Sequence, residues 1–544
     1  MTIESSIELQ LKRHPVKTLE LTWSNIKQHV FTPISNDENN IFVSKTTKEA
    51  LSDYSKSETY KDAKRVWKNL LIDSIFLLKL NDQREKLYSD TEELFGEEIN
   101  ATLKEFNDHF DNIRSSSTFG IDELGKYFDD FVNFESVLYG TGEFYRDHIH
   151  HVLLVWGVGI NLLEGSEPIE ILKLNDKFNY SDVNFHFQVK KNKPKTISRS
   201  ELWSMWTIIA LCHDLGYPLE KASQINQQVR KIVNHFGTLN FNELNYNFDL
   251  LNNFLVDKYL KIISSKTSRT RKECGNDKNC EENGCQNKSE NKTIIQSKYH
   301  DKFSKSLEDY KHGILSGLLI FKKLTYFLET DYASPDNSLS CEDLRQFYIR
   351  KEILRSICGH TCPKIYHIDL NTLSFLLILC DELQESGRPR FEELLLGKTE
   401  EAIISKLNTF SVTETEVKTD KEDKTDKIKK IIKSTIHISI EYTKIDLLDD
   451  DPSEKRKEYE DKLIRKKFQH FHYLLRSAKE DLFRNIDFCL ELIFKDKIKY
   501  VFHFNSEKSS FDGMIISKWE KLEGNKETGK FILYPDPDTP EKEK

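Results

Sequence analysis

Glycine and proline are scarce, 20 and 12 of 544 residues, roughly half the share of an average protein. That scarcity disfavours collagen-like, turn-repeat and all-β architectures and favours long helices. Cysteine is sparse too: nine residues, an odd number. A secreted disulfide framework is excluded on that count, and a reducing, cytoplasmic setting is expected. An excess of positive charge is missing, since 80 Lys and Arg face 89 Asp and Glu for a net charge of −9. A protein that coats nucleic acid over its whole surface is therefore excluded, although a local basic groove is not. The longest apolar runs, residues 314–321 and 375–380, fall far short of the roughly 18 residues that span a bilayer. The opening MTIESSIELQLKRHPVK lacks a basic stretch followed by an apolar one, so no secretory leader is expected. No P-loop, GxGxxG or GxSxG motif occurs, which leaves kinase, dinucleotide-binding and serine-hydrolase readings without support.

What is present is a heavily charged chain (31%) with enough apolar residues (38%) to bury a sizeable core. At about 150 residues per domain the length suggests three or four domains. The fold class read from the pattern is mainly α. Residues 1–135 form an N-terminal helical region, in which residues 60–80 place apolar side chains at three- and four-residue intervals. Residues 136–395 carry strongly apolar helices broken by polar insertions near 165–200 and 264–300, read as surface excursions. Residues 396–433 are a charged linker, with TETEVKTDKEDKTDKIKK at its centre. Residues 434–544 form a small α+β module. Its strand candidates are residues 434–442 and 500–504, its helices a charged one near 453–480 and an apolar one near 481–495, and the PDPDTPEKEK tail is expected to be disordered. The abundance of Lys, Asn and Ile is what an AT-rich bacterial genome writes.

Five apolar helical segments carry His or Asp. In FYRDHIHHVLL (144–154), His148 and His151 are three apart and share a helix face. In LWSMWTIIALCHDLGYPLE (202–220), a long apolar helix runs into His213-Asp214, and Gly216-Tyr217-Pro218 is read as its stop. Adjacent helical residues point about 100° apart, so both reach one site only at a helix end or a distortion. His312 lies in KHGILSGLLIF beside small residues that permit close helix packing, and His360 lies in ILRSICGHTC. Asp381 ends the apolar run of LNTLSFLLILCDELQESGRPR, where an unpaired carboxylate would be very costly; a metal or an arginine must meet it. Taken singly, each histidine also reads as a hydrogen-bonded core residue and Asp214 as a helix cap.

The order His, His-Asp, His, His, Asp resembles the HD-domain superfamily of metal-dependent phosphohydrolases, whose signature is H…HD…D on a helical bundle. The two added histidines resemble its binuclear branch, and HDLGYP, HGxxSG and DELQESGR look like a poorly characterised prokaryotic group. The resemblance covers residues 140–395, and it implies an HD-type helical bundle. The ligands it implies are His151 (or His148), His213, Asp214, His312, His360 and Asp381, with Asp214 bridging two divalent metals. Imidazole and carboxylate suit Mn, Fe, Co, Ni or Zn. The implied reaction is hydrolysis of a nucleotide phosphoester by metal-activated water. An HD-type nuclease acting on DNA or RNA is one alternative, and a catalytically degenerate nucleotide-binding sensor or scaffold is another. The implied partner is a nucleotide or nucleic-acid phosphoester, with no membrane, and a homo-oligomer is left open.

The chain departs from the family pattern at Tyr217, where many members have lysine, so Tyr217 or an arginine takes the lysine's role in the reaction. Arg388, two turns beyond Asp381, is a candidate phosphate ligand if the helix continues. Gln384, Glu220 and Lys221 are candidates to orient ligands from behind. Cys274, Cys280 and Cys285, spaced six and five apart, could hold structural zinc with a fourth ligand. Cys358, Cys362 and His367 offer another cluster near His360, for which core packing is the preferred reading. The basic VKKNKPK segment at 189–195 reads as a solvated loop.

Overall fold

The structure is a computed structural model. It describes residues 17–21, 43–57, 59–88, 119–139, 148–164, 197, 199–233, 235, 250–271, 289–330, 341–362, 372–385, 404–418, 430–443, 486–494, 499–504, 517–523 and 525–531. Described residues are mainly helical. In chain order they form β1 (Lys17–Leu21), α1 (Lys45–Ser57), α2 (Tyr60–Tyr88), α3 (Ile121–Tyr139), α4 (His148–Glu164), α5 (Arg199–Cys212), α6 (Tyr217–Val233), α7 (Leu250–Ser264), β2 (Ser265–Arg271) and β3 (Ser289–Ile295). There follow α8 (Ser297–Glu308), α9 (His312–Lys323), α10 (Thr325–Leu328), α11 (Cys341–Gly359), α12 (Leu373–Glu385), β4 (Ile404–Lys418), β5 (Lys430–Thr443), β6 (Ile486–Phe494), β7 (Lys499–Phe504), β8 (Ser517–Glu523) and β9 (Asn525–Phe531). Among them no helix is long and apolar enough to cross a membrane.

Local sequence sets the helix starts. Thr59 accepts the Asp62 backbone N–H at 3.2 Å and donates its hydroxyl to the Asp62 carboxylate at 2.6 Å, closing the first turn of α2. Ser44 does the same for α1, accepting the Thr47 N–H at 3.3 Å.

The core is built around α5. Every residue from 201 to 212 is buried, so this helix has neighbours on all sides. It packs on α2, α4 and α11. Its hydroxyls are satisfied in place: Ser204 and Thr207 donate back to the Ser200 and Trp203 carbonyls, and Thr207 accepts the Trp156 indole N–H at 2.9 Å. Trp67 donates to the Leu211 carbonyl and Trp206 to the Trp156 carbonyl, tying α2 and α4 to the same helix. Gly159 makes the α4–α5 approach possible, because a Cβ there would stand 2.0 Å from the Trp206 ring. Glu201 of α5 and Arg345 of α11 form a buried ion pair across the core.

The strands form a seven-stranded sheet in the order β1-β4-β5-β6-β7-β8-β9 and a separate β2-β3 hairpin. All neighbours are antiparallel except β5 and β6. Register places Phe410, Ile438, Leu490, Phe502 and Trp519 in one cross-strand row, and period-two alternation puts further apolar residues on that face. β5 and β6 are parallel and 42 residues, 444–485, separate them in sequence, enough for the crossover a parallel pair requires.

Three expectations are corrected. The region 1–135 is not wholly helical, because β1 pairs with β4. Residues 404–418, assigned to the charged linker, form β4: β-branched Thr and Val alternate with the charges, and both flanks find partner strands. The apolar stretch near 481–495 is not a helix. Residues Ile486–Phe494 form β6, whose Ile486, Phe488, Leu490 and Leu492 follow the period of a strand. The stop expected at Gly216-Tyr217-Pro218 is present, since α5 ends at Cys212 and a turn over 213–216 follows; Tyr217-Pro218 in addition opens α6, where proline's missing N–H costs nothing in the first turn. The strand expectations at 434–442 and 500–504 fall within β5 and β7. The charged helix near 453–480, the 165–196 insertion and the C-terminal tail lie outside the described residues.

Candidate metal centre

Helix ends deliver the site. The Cys212 end of α5 is followed by a tight turn over residues 213–216 that leads straight into α6, with Tyr217 N–H donating to the Asp214 carbonyl at 2.9 Å. The turn lets the adjacent His213 and Asp214 side chains face one place. Gly216 is required there, since a Cβ would lie 2.3 Å from the His312 carbonyl oxygen. Ser316, one turn into α9, accepts the Gly216 N–H at 2.7 Å and fixes α9 against the turn. His312 is the first residue of α9, His360 follows the end of α11, His151 sits one turn into α4, and Asp381 lies near the end of α12.

These six side chains converge. His151 Nε2 is 3.0 Å from Asp381 Oδ1 and 3.5 Å from Asp214 Oδ2. His213 Nε2 is 3.5 Å from the same Asp214 oxygen and 3.9 Å from Asp381 Oδ1. On the other side, His312 Nε2 is 3.3 Å and His360 Nε2 3.7 Å from Asp214 Oδ1. Asp214 thus turns one carboxylate oxygen to His151 and His213 and the other to His312 and His360. Three sets of donor atoms, each set within 4.8 Å of one another, can hold a metal ion: His151, His213 and Asp214; Asp214, His312 and His360; and His213, His360 and Asp381.

The tautomers follow from the outer partners. His213 Nδ1 lies 2.8 Å from the Ala210 carbonyl and His360 Nδ1 2.6 Å from the Ile357 carbonyl. A carbonyl only accepts, so each Nδ1 carries the proton. In its neutral form each ring then presents an Nε2 lone pair to the centre, and both Nε2 atoms are buried without a hydrogen bond. Burial pushes His213 down to about 4 despite the nearby Asp214 and Asp381, which keeps it neutral. Lone pairs aimed at carboxylate oxygens are acceptors facing acceptors. A metal cation between them satisfies both, and imidazole with carboxylate is a donor set for Mn, Fe, Co, Ni or Zn.

The acids are held ionised. Burial alone would raise Asp214, but His213, His312 and His360 outweigh it and hold the carboxyl well below its usual range. Asp381 behaves alike: burial raises it, and His151 and His213 bring it far down. Glu220, on α6, accepts both the backbone N–H (2.8 Å) and the Nδ1–H (2.7 Å) of His312. This pair defines a pH window in metal-free protein. Burial opposes charge on His312, yet Asp214 and Glu220 raise its pKa from 6.5 to about 9, so its stabilisation is complete below about 6.5 and lost as pH rises through 9. Glu220, also opposed by burial but lowered from 4.5 to about 2 by His312, contributes fully above 4.5 and loses this as pH falls through 2. His213, depressed to about 4, costs stability as pH drops from 6.5 toward 4. Chelator-treated protein should therefore melt highest near pH 6.5, and Glu220→Gln should flatten the decline toward pH 9. Thermal unfolding from pH 4 to 10 checks this; a melting temperature still climbing between pH 7 and 9 would contradict it.

His148 stands apart from the six. Its backbone N–H and Nδ1–H both go to Glu135 Oε1, at 2.9 and 2.7 Å, and its ring centre is 3.9 Å from that of Tyr217. The arrangement duplicates that of His312 with Glu220: a helix-opening histidine capped and oriented by one carboxylate. Tyr217 lies between the two imidazoles, 5.9 Å from the His312 ring. Sequence reading missed Glu135. Its one signal is a carboxylate inside the apolar stretch FVNFESVLY at 131–139.

Cys358 and Cys362 are core residues. Tyr259 Oη lies 2.6 Å from Cys358 Sγ and donates to the Ile314 carbonyl, while Ser306 donates to Cys362 Sγ at 3.0 Å. These bonds steady the segment that carries His360. Gln384 falls within α12, but its side chain lies outside the described residues, as do Arg388, His367, Cys274, Cys280, Cys285 and the 189–195 segment. Comparison of the chain with family models, with curated proteins and with solved structures finds no match.

Proposed function

We propose that the chain is a metal-dependent phosphohydrolase that cleaves a phosphoester of a nucleotide, with a centre of HD type. The observation that carries the reading is the pair of buried, unbonded Nε2 lone pairs of His213 and His360 directed at carboxylate oxygens of Asp214 and Asp381. His151, His213, Asp214 and Asp381 would hold one divalent ion, and Asp214, His312 and His360 a second. Ions held there supply positive charge against phosphoryl oxygens and acidify water into a nucleophile.

The remaining work belongs to the chain itself. The Ala210 and Ile357 carbonyls fix which nitrogen of His213 and His360 faces inward. Glu220 orients His312 and raises its basicity. Asp214 serves both halves through its two oxygens, so the halves are held in one register. His312 and Asp381, with side chains 20% and 30% exposed against 0–8% for His151, His213, His360 and Asp214, are the members of the cluster that an incoming anion would reach first.

The test is a screen for phosphate release and for strand cleavage with Mn, Fe, Co, Ni or Zn. Nucleotides, cyclic dinucleotides and single- and double-stranded nucleic acid are offered in turn. Turnover of a nucleotide with at least one metal, abolished by chelation, is the expected result. Cleavage confined to polynucleotides would move the assignment to a nuclease. Metal-free protein that binds nucleotide without turning it over would replace the enzyme by a sensor.

A further inference from the structure

We propose that the seven-stranded sheet carries a separate metal site, a zinc site of two imidazoles and a thiolate built from His437, Cys489 and His503. It shares no residue with the His and Asp centre and does not depend on the phosphohydrolase reading. Strand register is the observation that carries it. His437 of β5 is the partner of Cys489 in β6, and Cys489 is the partner of His503 in β7. The three occupy consecutive places in one cross-strand row, which continues to Ser411 on β4 and Lys518 on β8. Directly paired residues lie on the same face of a sheet, so all three share a face. Period two assigns Ile436, Ile438, Phe488, Leu490, Phe502 and Phe504 to the other face. The chain has 17 histidines and nine cysteines in 544 residues, so three such donors side by side on neighbouring strands are rare under random placement.

The order within the row suits one ion. Neighbouring strands stand about 4.8 Å apart, so the two histidine positions are roughly 9–10 Å from each other with the cysteine position midway. Cysteine has the short side chain and binds zinc at about 2.3 Å; imidazole is longer and binds at about 2.0–2.1 Å. An ion over the middle strand lies within reach of a thiolate at that position and of an imidazole on either flank, whereas a cysteine at the end of the row would fall short. A carboxylate can complete the tetrahedron, since Asp487 and Glu491 each stand two residues from Cys489 on the same face of β6. Thiolate together with imidazole selects zinc over harder ions such as Mg or Ca. The role of such an ion is structural. It clips β5 to β6 across the 42 residues that separate them in sequence, and both to β7, where closing a long loop brings the larger gain.

Cobalt is the probe, titrated into full-length, chelator-treated protein under reducing conditions. A thiolate bound to cobalt gives an intense charge-transfer band in the near ultraviolet, which the His and Asp centre cannot give because its ligands include no sulfur. Wild type should show the band, and Cys489→Ser should lose it together with one bound zinc per chain. His437→Gln and His503→Gln should keep a thiolate band but bind cobalt at least about tenfold more weakly. The triple variant Cys274→Ser, Cys280→Ser, Cys285→Ser should keep the wild-type spectrum, which separates this site from the cysteines beyond β2. Circular dichroism is the folding control, and the histidine and triple variants decide the matter should Cys489→Ser not fold. No band in wild type, a band unchanged in Cys489→Ser, or wild-type cobalt affinity in both histidine variants overturns the site; none of these results touches the His and Asp centre.

Discussion

Purified Asp214→Ala protein is expected to carry no tightly bound divalent metal at the His and Asp centre, and wild type to carry two. The carboxylate is the one group shared by both halves, with Oδ2 toward His151 and His213 and Oδ1 toward His312 and His360. Its removal takes a ligand from each ion at once. His151→Ala, by contrast, leaves Asp214, His312 and His360 in place and should spare one ion. Loss of metal-supplied charge and acidified water is worth several kcal/mol, so hydrolysis in Asp214→Ala should fall by at least about 10³-fold. Asp214 lies in the 213–216 turn, outside the regular helices, so secondary structure should survive. Elemental analysis of both variants after dialysis checks the prediction. Retention of the wild-type metal content by Asp214→Ala would remove the shared-carboxylate arrangement.

Glu201→Ala should destabilise the fold by roughly 3–5 kcal/mol, because it strips the partner from a buried guanidinium. Glu201 is fully buried on α5, and Arg345 on α11 is nearly so. The penalty belongs to the uncompensated charge and not to the bridge as such. The double variant Glu201→Met, Arg345→Met should therefore recover most of the loss. Urea unfolding monitored by circular dichroism measures both. A single-variant change under about 1 kcal/mol would show that Arg345 finds water or another acceptor.

The His and Asp cluster was legible in the sequence because its chemistry violates the local pattern. A histidine or aspartate inside LWSMWTIIALCHDLGYPLE or LNTLSFLLILCDELQES interrupts an apolar run that has no other reason to hold one. Helix faces were legible for the same reason: apolar spacing in residues 60–80 matches α2. Glu135 was not legible, because its partner His148 is thirteen residues away in sequence and no short-range spacing links them. The helix end before Tyr217-Pro218 was legible, but not that the same pair opens the next helix. Proline ends helices and opens them equally well, and which applies depends on the residues before it folding into a turn.

The strands were harder still. β4 is rich in charge and pairs on both flanks with segments far away, β1 at the N-terminus and β5 across residues 419–429. A charged sequence reveals a strand only through such partners, since β propensity is largely a fit to neighbours. Residues 486–494 carry both helical apolar density and strand alternation, and pairing with β5 and β7 decides between them.

The account stands or falls on cations between His213, Asp214, His360 and Asp381. Anomalous X-ray diffraction from crystals of Mn-loaded protein, recorded at the metal edge, locates them directly. Two peaks about 3.5–4 Å apart are predicted, one beside Asp214 Oδ2 and the other beside Asp214 Oδ1. Fully loaded crystals with no peak among these side chains, or with the imidazoles hydrogen-bonded to the acids as protonated pairs, would contradict it.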